Sequence, residues 1–172
     1  MGGLMIGKKT GQAAMEYLMT YGWALLVIVI VLAILLIMNP FSAPQSCRFD
    51  QIGFTCDAPA LAAANSQLYL KVTNGNNNGV RVLSVNCTSS KSSVPPAFSA
   101  ANATGTLVAR QDSYQLNDSN KVFCRDASGA IVSLEKGADF SGKVWVFYRN
   151  EEDGSDYPVR SASANLVTKA TG

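Results

Sequence analysis

Between Glu16 and Arg48 the chain carries no charged residue. Within that stretch, Trp23 to Met38 reads Trp-Ala-Leu-Leu-Val-Ile-Val-Ile-Val-Leu-Ala-Ile-Leu-Leu-Ile-Met. A helix of this composition is apolar on every face, so it has no amphipathic stripe to lay on a soluble core. Spanning residues 12–38, it is roughly 40 Å long, enough to cross a bilayer. Asn39-Pro40 ends it, because the residue before a proline is pushed out of the helical region. Tyr17, Tyr21 and Trp23 cluster near one end, as interfacial aromatics do. Lys8 and Lys9 precede the segment and the next basic residue is Arg48. The positive-inside rule therefore puts the N-terminus in the cytoplasm and everything after Pro40 outside the cell.

The rest of the 172 residues is enough for about one domain with its own core. Leu68-Tyr-Leu-Lys-Val72 and Val80-Arg-Val-Leu-Ser-Val85 alternate apolar and polar residues at the strand period. The run Thr73-Asn-Gly-Asn-Asn-Asn-Gly79 between them favours a turn, so the pair reads as a hairpin. Further strands are expected over residues 106–109, 130–134, 143–148 and 160–168. Pro95-Pro96 and its Ser/Ala-rich surroundings read as a long surface loop. The expected fold class is α+β: a long N-terminal hydrophobic α-helix, then an antiparallel β-rich globular head, built as a sandwich or one strongly twisted sheet.

Setting aside Lys8, Lys9 and Glu16 leaves 12 of the 14 basic and 11 of the 12 acidic residues. That balance supplies no reason to expect a nucleic-acid partner. The chain has no histidine, which removes the commonest general base and metal ligand, and with them any Ser/His or Cys/His dyad. No Ser-x-x-Lys, Gly-x-Ser-x-Gly, phosphate-binding or dinucleotide-binding loop is present. No catalytic residue, no cofactor and no metal is expected. The acidic run Glu151-Glu152-Asp153-Gly154-Ser155-Asp156 lacks the alternating spacing of calcium loops and reads as a solvated turn between strands.

Cys47, Cys56, Cys87 and Cys124 all fall on the expected outer side, where an even count favours two disulfides over free thiols. Three connectivities are possible. Cys47–Cys56 with Cys87–Cys124 is preferred, because the first pair closes a short loop just after the helix. Chain entropy assigns each roughly 2.5–4 kcal/mol. A zinc site is the alternative, though no two cysteines have Cys-x-x-Cys spacing. Three sequons occur, at Asn86, Asn102 and Asn117. Asn102 and Asn117 lie in loop-like sequence, whereas Asn86 abuts a strand and a cysteine.

Glu16 is awkward for a plain anchor, since a carboxylate costs about 2.5–3.5 kcal/mol near the bilayer centre and less near its surface. Either it sits in the headgroup layer or it has a partner. Lys8-Lys9-Thr10-Gly11, then Gln12-x-x-x-Glu16 and the apolar run, resembles the prepilin signal of archaeal type IV pilins. The resemblance implies a class III signal peptide cut by a prepilin peptidase between Gly11 and Gln12, with Lys8 and Lys9 as the basic leader residues. Glu16 is then the fifth mature residue, the position of the family's assembly glutamate. Thr10 stands where the family commonly has a basic residue, and Ala14 where it often has serine.

The resemblance implies a leader over residues 1–11, a filament-core helix over 12–39, a linker over 40–46 and an extracellular head over 47–172, with the lollipop shape of a pilin. The implied partners are the bilayer before assembly, the peptidase and assembly machinery, and identical or related pilin subunits in a helical homopolymer at the cell surface. A new amino terminus at Gln12 would pair with Glu16 of a neighbour. Archaeal surface filaments are often N-glycosylated, which bears on the three sequons. Three competing readings remain. One is a secretory signal peptide cut near Ser42-Ala43. Another is a permanent single-pass anchor carrying a monomeric extracellular binding module. The third is an archaellin-like subunit.

Overall fold

The structure, a computed structural model, describes residues 10–38, 44–98, 104–154 and 157–172. Lys8, Lys9, Asn39, Pro40, Ser42, Ala43, Asn102, Ser155 and Asp156 lie outside the described residues. The chain divides into two compact units, Met1–Ser42 and Ala43–Gly172.

The first unit holds one helix, α1, Thr10–Met38. Val27-Ile-Val-Ile-Val31 is β-branched throughout, a composition that by itself favours a strand. A lone strand has no partner for its N–H and C=O groups, whereas a helix satisfies them internally, and an all-apolar segment has no other means of doing so. Among its described residues the second unit contains ten strands: β1 Ser46–Phe49, β2 Phe54–Cys56, β3 Ala60–Ala62, β4 Gln67–Asn74, β5 Val80–Thr88, β6 Thr106–Val108, β7 Ser113–Leu116, β8 Val122–Arg125, β9 Asp139–Asn150 and β10 Arg160–Thr171.

The pairings return to their starting point. β10 pairs β9, β9 pairs β5, β5 pairs β8, β8 pairs β4, β4 pairs β3, and β3 pairs β10. The sheet therefore closes largely into a barrel, rather than forming a sandwich or an open twisted sheet. Two of the ladders are parallel, β10 with β3 and β5 with β8, so the head is not purely antiparallel. Closure is possible because the longer strands carry different neighbours at different heights along one edge. β4 takes β8 at Gln67–Leu68 and β7 at residues 70–73, and β5 takes β6 at residues 80–82 and β8 at residues 87–88.

The hairpin expected from β4 and β5 does not form, since the two strands share no ladder. The reason is Asn74, which is buried. Its Nδ2 donates to the carbonyls of Asn78, Val108 and Ala109 at 3.0–3.2 Å, and its Oδ1 accepts from the backbone N–H of Asn76 at 3.0 Å. The Asn/Gly run is thus tied to a distant segment and turns a corner from one side of the barrel to the other. Residues 130–134 are not a strand either; only an isolated bridge joins Ile131 to Arg125. The strands expected over 143–148 and 160–168 are present and longer.

Inward side chains alternate in size. Val144 and Val146 of β9 face Ala164 and Ala162 of β10 in register, and Leu61, Leu68, Leu166 and Val80 fill the remaining interior without solvent contact. Strict alternation in β5 would turn Val85 and Cys87 outward. A bulge between Val82 and Ser84 adds one residue, and Val85 and Cys87 face the core.

Two disulfides stand where the ladders are weakest. Cys47–Cys56 (Cα–Cα 5.9 Å) ties β1 to β2, which share no ladder: β1 is paired only to β10 and β2 only to β4. Cys87–Cys124 (Cα–Cα 4.4 Å) crosses the two-residue parallel pairing of β5 and β8.

The turn after β1 is locked by Asp50. Its carboxylate accepts from Ser163 Oγ at 2.8 Å and Asn165 Nδ2 at 2.7 Å, and it pairs with Lys143 Nζ at 3.3 Å. The Ser163 hydroxyl first, then Lys143, hold this carboxyl below the usual aspartate range against a smaller opposing effect of burial. A depressed carboxyl contributes stability that is fully present above its unfolded pKa and is lost as pH falls through the folded one. Asp50→Asn should therefore lower the melting temperature at about pH 6 and make little difference near pH 2.5. Equal deficits at both pH values would contradict this assignment.

Candidate functional site

Two places in the chain offer chemistry beyond packing. The first is α1. At about 1.5 Å per residue it is roughly 43 Å long, and residues Met15–Met38 are long and apolar enough to cross a membrane. Its large apolar side chains are 42–83% exposed and show no preferred face. An apolar N-terminal helix of this kind suggests a membrane anchor or a signal sequence, and two disulfides in the following domain suggest an extracellular location.

Along this helix polar groups are few, and one of them is satisfied locally. The Thr20 hydroxyl lies 3.0 Å from both the Glu16 and the Tyr17 carbonyls, the back-bonding by which hydroxyls are tolerated in apolar helices. Tyr17 and Tyr21 stack one turn apart, with centroids 6.2 Å apart and planes within 6°. Glu16 is the one charged residue of α1. It is exposed, sits beside this aromatic pair, and its carboxylate has no hydrogen bond or ion pair among the described residues. α1 already includes Gly11 and Gln12, so the expected cleavage boundary falls within its first turn.

The second place is on the barrel wall. A cavity of about 660 Å³ lies among β5, β8, Trp145 of β9, residues 126–129 and the segment at 90–96. Asn86 lines it, because the side chain after the bulge points outward while Cys87 points in. Of the other sequon residues, Asn117 is exposed between β7 and β8. Its Oδ1 accepts from the backbone N–H of Ser119 at 2.8 Å. Reasoning from sequence found none of the Trp145 cavity. The one signal was the hydroxyl-rich run Thr88-Ser-Ser-Lys-Ser-Ser93.

Among the described residues no three His, Cys, Asp or Glu side chains gather as metal ligands, and the four cysteines are committed to disulfides. Asp153 of the acidic run pairs with Arg160 at 3.3 Å, across the turn between β9 and β10. No protein-family model, no curated protein and no solved structure matches the chain.

Proposed function

We propose that the protein is a structural subunit of an extracellular type IV pilus-like filament, inserted in the membrane through α1, trimmed between Gly11 and Gln12, and polymerised through that helix. The observation that carries this reading is the carboxylate of Glu16, the one charged group of a long, mostly apolar helix and without a partner among the described residues. A passive anchor has no use for such a group, whereas a bundle of identical helices supplies a partner in the new amino terminus of a neighbour. In the bundle the apolar surface stays out of water, as in lipid. Contacts that repeat without closing produce a helical fibre. The barrel then forms the outer coat, with disulfides suited to an oxidising exterior.

The wall cavity beside Trp145 favours a second reading, a monomeric membrane-anchored module that binds a surface ligand. Mass spectrometry of the native N-terminus discriminates the two. A start at Gln12 is expected for the filament subunit. Retention of residues 1–11 would favour the anchor, and a start near Pro44 would point to a secretory signal.

A further inference from the structure

The wall cavity has the size of a small-ligand site, and its chemistry is specific. Three hydroxyls stand at every second residue along one side. Thr88 Oγ1 accepts from the Ser90 N–H at 3.0 Å, Ser90 Oγ from the Ser92 N–H at 3.3 Å, and Ser92 Oγ from the Val94 N–H at 3.1 Å. Each oxygen is thereby oriented by its own loop, while its proton has no acceptor among the described residues. The side is a row of aimed donors. Beside the row stand two cations, Arg125, which is the ladder neighbour of Thr88, and Lys121, four residues earlier in the chain, both exposed and without an ion pair among the described residues. One Arg125 nitrogen, Nη1, donates to the Gly129 carbonyl at 2.7 Å, which steadies the guanidinium and leaves its other donors open. Of the carboxylates, Asp126 lines the cavity and is bound into its own turn by the Ser128 hydroxyl at 2.6 Å and the Ala130 N–H at 3.0 Å. Asp118, near Lys121, accepts from Gln67 Nε2 at 3.0 Å and the Tyr69 hydroxyl at 2.9 Å. Phe123, half-buried, adds aromatic surface, while Trp145 also lines the cavity but is only 4% exposed.

This pattern does not suit an extended peptide added to a strand. At Cys87 and Thr88 both edges of β5 are already in use, by β9 on one side and β8 on the other. Nor does it suit nucleic acid, which needs a longer track of cations. Aromatic surface, closely spaced hydrogen-bond donors and a cation pair fit a sugar that carries negative charge. We propose that this groove binds a carboxylate-bearing oligosaccharide. Its C–H surface would rest on Phe123, its ring oxygens would accept from the hydroxyl row, and its carboxylates would pair with Arg125 and, about 13 Å along the backbone, Lys121. This site stands whether or not the chain polymerises, because it uses the barrel alone.

The test uses the full chain in detergent micelles with Trp23→Phe, which leaves Trp145 as the sole tryptophan. Trigalacturonate is titrated while Trp145 emission is followed, with maltotriose as the neutral trisaccharide. A saturable change with trigalacturonate, weakened by added salt and much smaller with maltotriose, is expected. Arg125→Ala should weaken binding roughly tenfold or more, the loss of a charged hydrogen bond. Lys121→Ala, which breaks no hydrogen bond among the described residues, should weaken it by a smaller factor at an unchanged melting temperature. Should Arg125→Ala disturb its turn, Lys121→Ala decides. Equal binding of the neutral sugar, no saturable change with either, or unaltered affinity in the Lys121 variant would overturn the proposal. So would peptide mass showing a glycan on Asn86, since the groove would then hold the chain's own sugar.

Discussion

Glu16→Gln should leave the protein in the membrane but without filaments. The substitution removes a charge and keeps the volume, so an apolar helix of this length inserts as before, or slightly better, since an amide is cheaper than a carboxylate in lipid. Assembly is another matter. If a neighbour's ammonium at Gln12 enters the helix bundle to meet Glu16, the amide leaves that positive charge buried without its counter-charge. Breaking one side of a buried pair costs about 3–5 kcal/mol, or two to four orders of magnitude in subunit association, repeated at every subunit. Membrane fractionation with electron microscopy of shed filaments reads both halves. Filaments at wild-type yield would show that Glu16 merely rests among headgroups. Loss of the protein from the membrane would show that it acts in insertion.

The second large effect belongs to the disulfides. Cys87–Cys124 spans 37 residues and Cys47–Cys56 spans 9. Chain entropy assigns them about 4 and about 3 kcal/mol respectively. For a domain of this size, replacing Cys87 and Cys124 together by serine should lower the melting temperature by about 10–20 °C. The longer loop is only part of the reason. The Cys87 and Cys124 sulfurs also lie in the core, next to the parallel ladder that joins β5 to β8, so the serines place two hydroxyls where apolar contacts stood. The Cys47/Cys56 double variant should lose less overall, but it should expose the β1 and β2 amides to hydrogen exchange first, since those two strands share no ladder. A shift below a few degrees for the Cys87/Cys124 variant would mean that the ladder holds without its staple.

How much of this was legible beforehand follows from the range of each interaction. The helix was plain, because the 31 residues between Glu16 and Arg48 carry no charged side chain, which leaves a chain few options. The period of two also marked β4 and β5, and β9 and β10 were expected as strands over residues 143–148 and 160–168. The short β6 was expected too, over residues 106–109, but β2 and β3, at three residues each, carry no period and were not. They are strands only because a longer neighbour offers them a ladder. The β4–β5 error has the same origin. Local turn chemistry was present, but the Asn74 amide reaches carbonyls more than thirty residues away, at Val108 and Ala109, and that destination is not written in the seven-residue run. At the candidate sites the division is similar. Glu16 stands out against its apolar surroundings. The groove needs β5, β8 and β9 side by side before Trp145, Arg125 and the hydroxyls of residues 88–92 become neighbours.

The short bridge after the helix has a mechanical meaning. Load on an anchored or polymerised chain enters the barrel through the residues after α1, and the first covalent branch it meets is Cys47. From there the tension passes through sulfur to Cys56 and bypasses the backbone between them. The intervening residues, 48–55, would yield about 27 Å of slack if drawn straight. Held behind the bridge, that length is never paid out. The turn at Asp50 and the strand on either side of it stay folded under a pull that would otherwise peel β1 from β10. Reduction would turn the same stretch into an extensible leader, so force–extension traces taken with and without reductant should differ by that single early step.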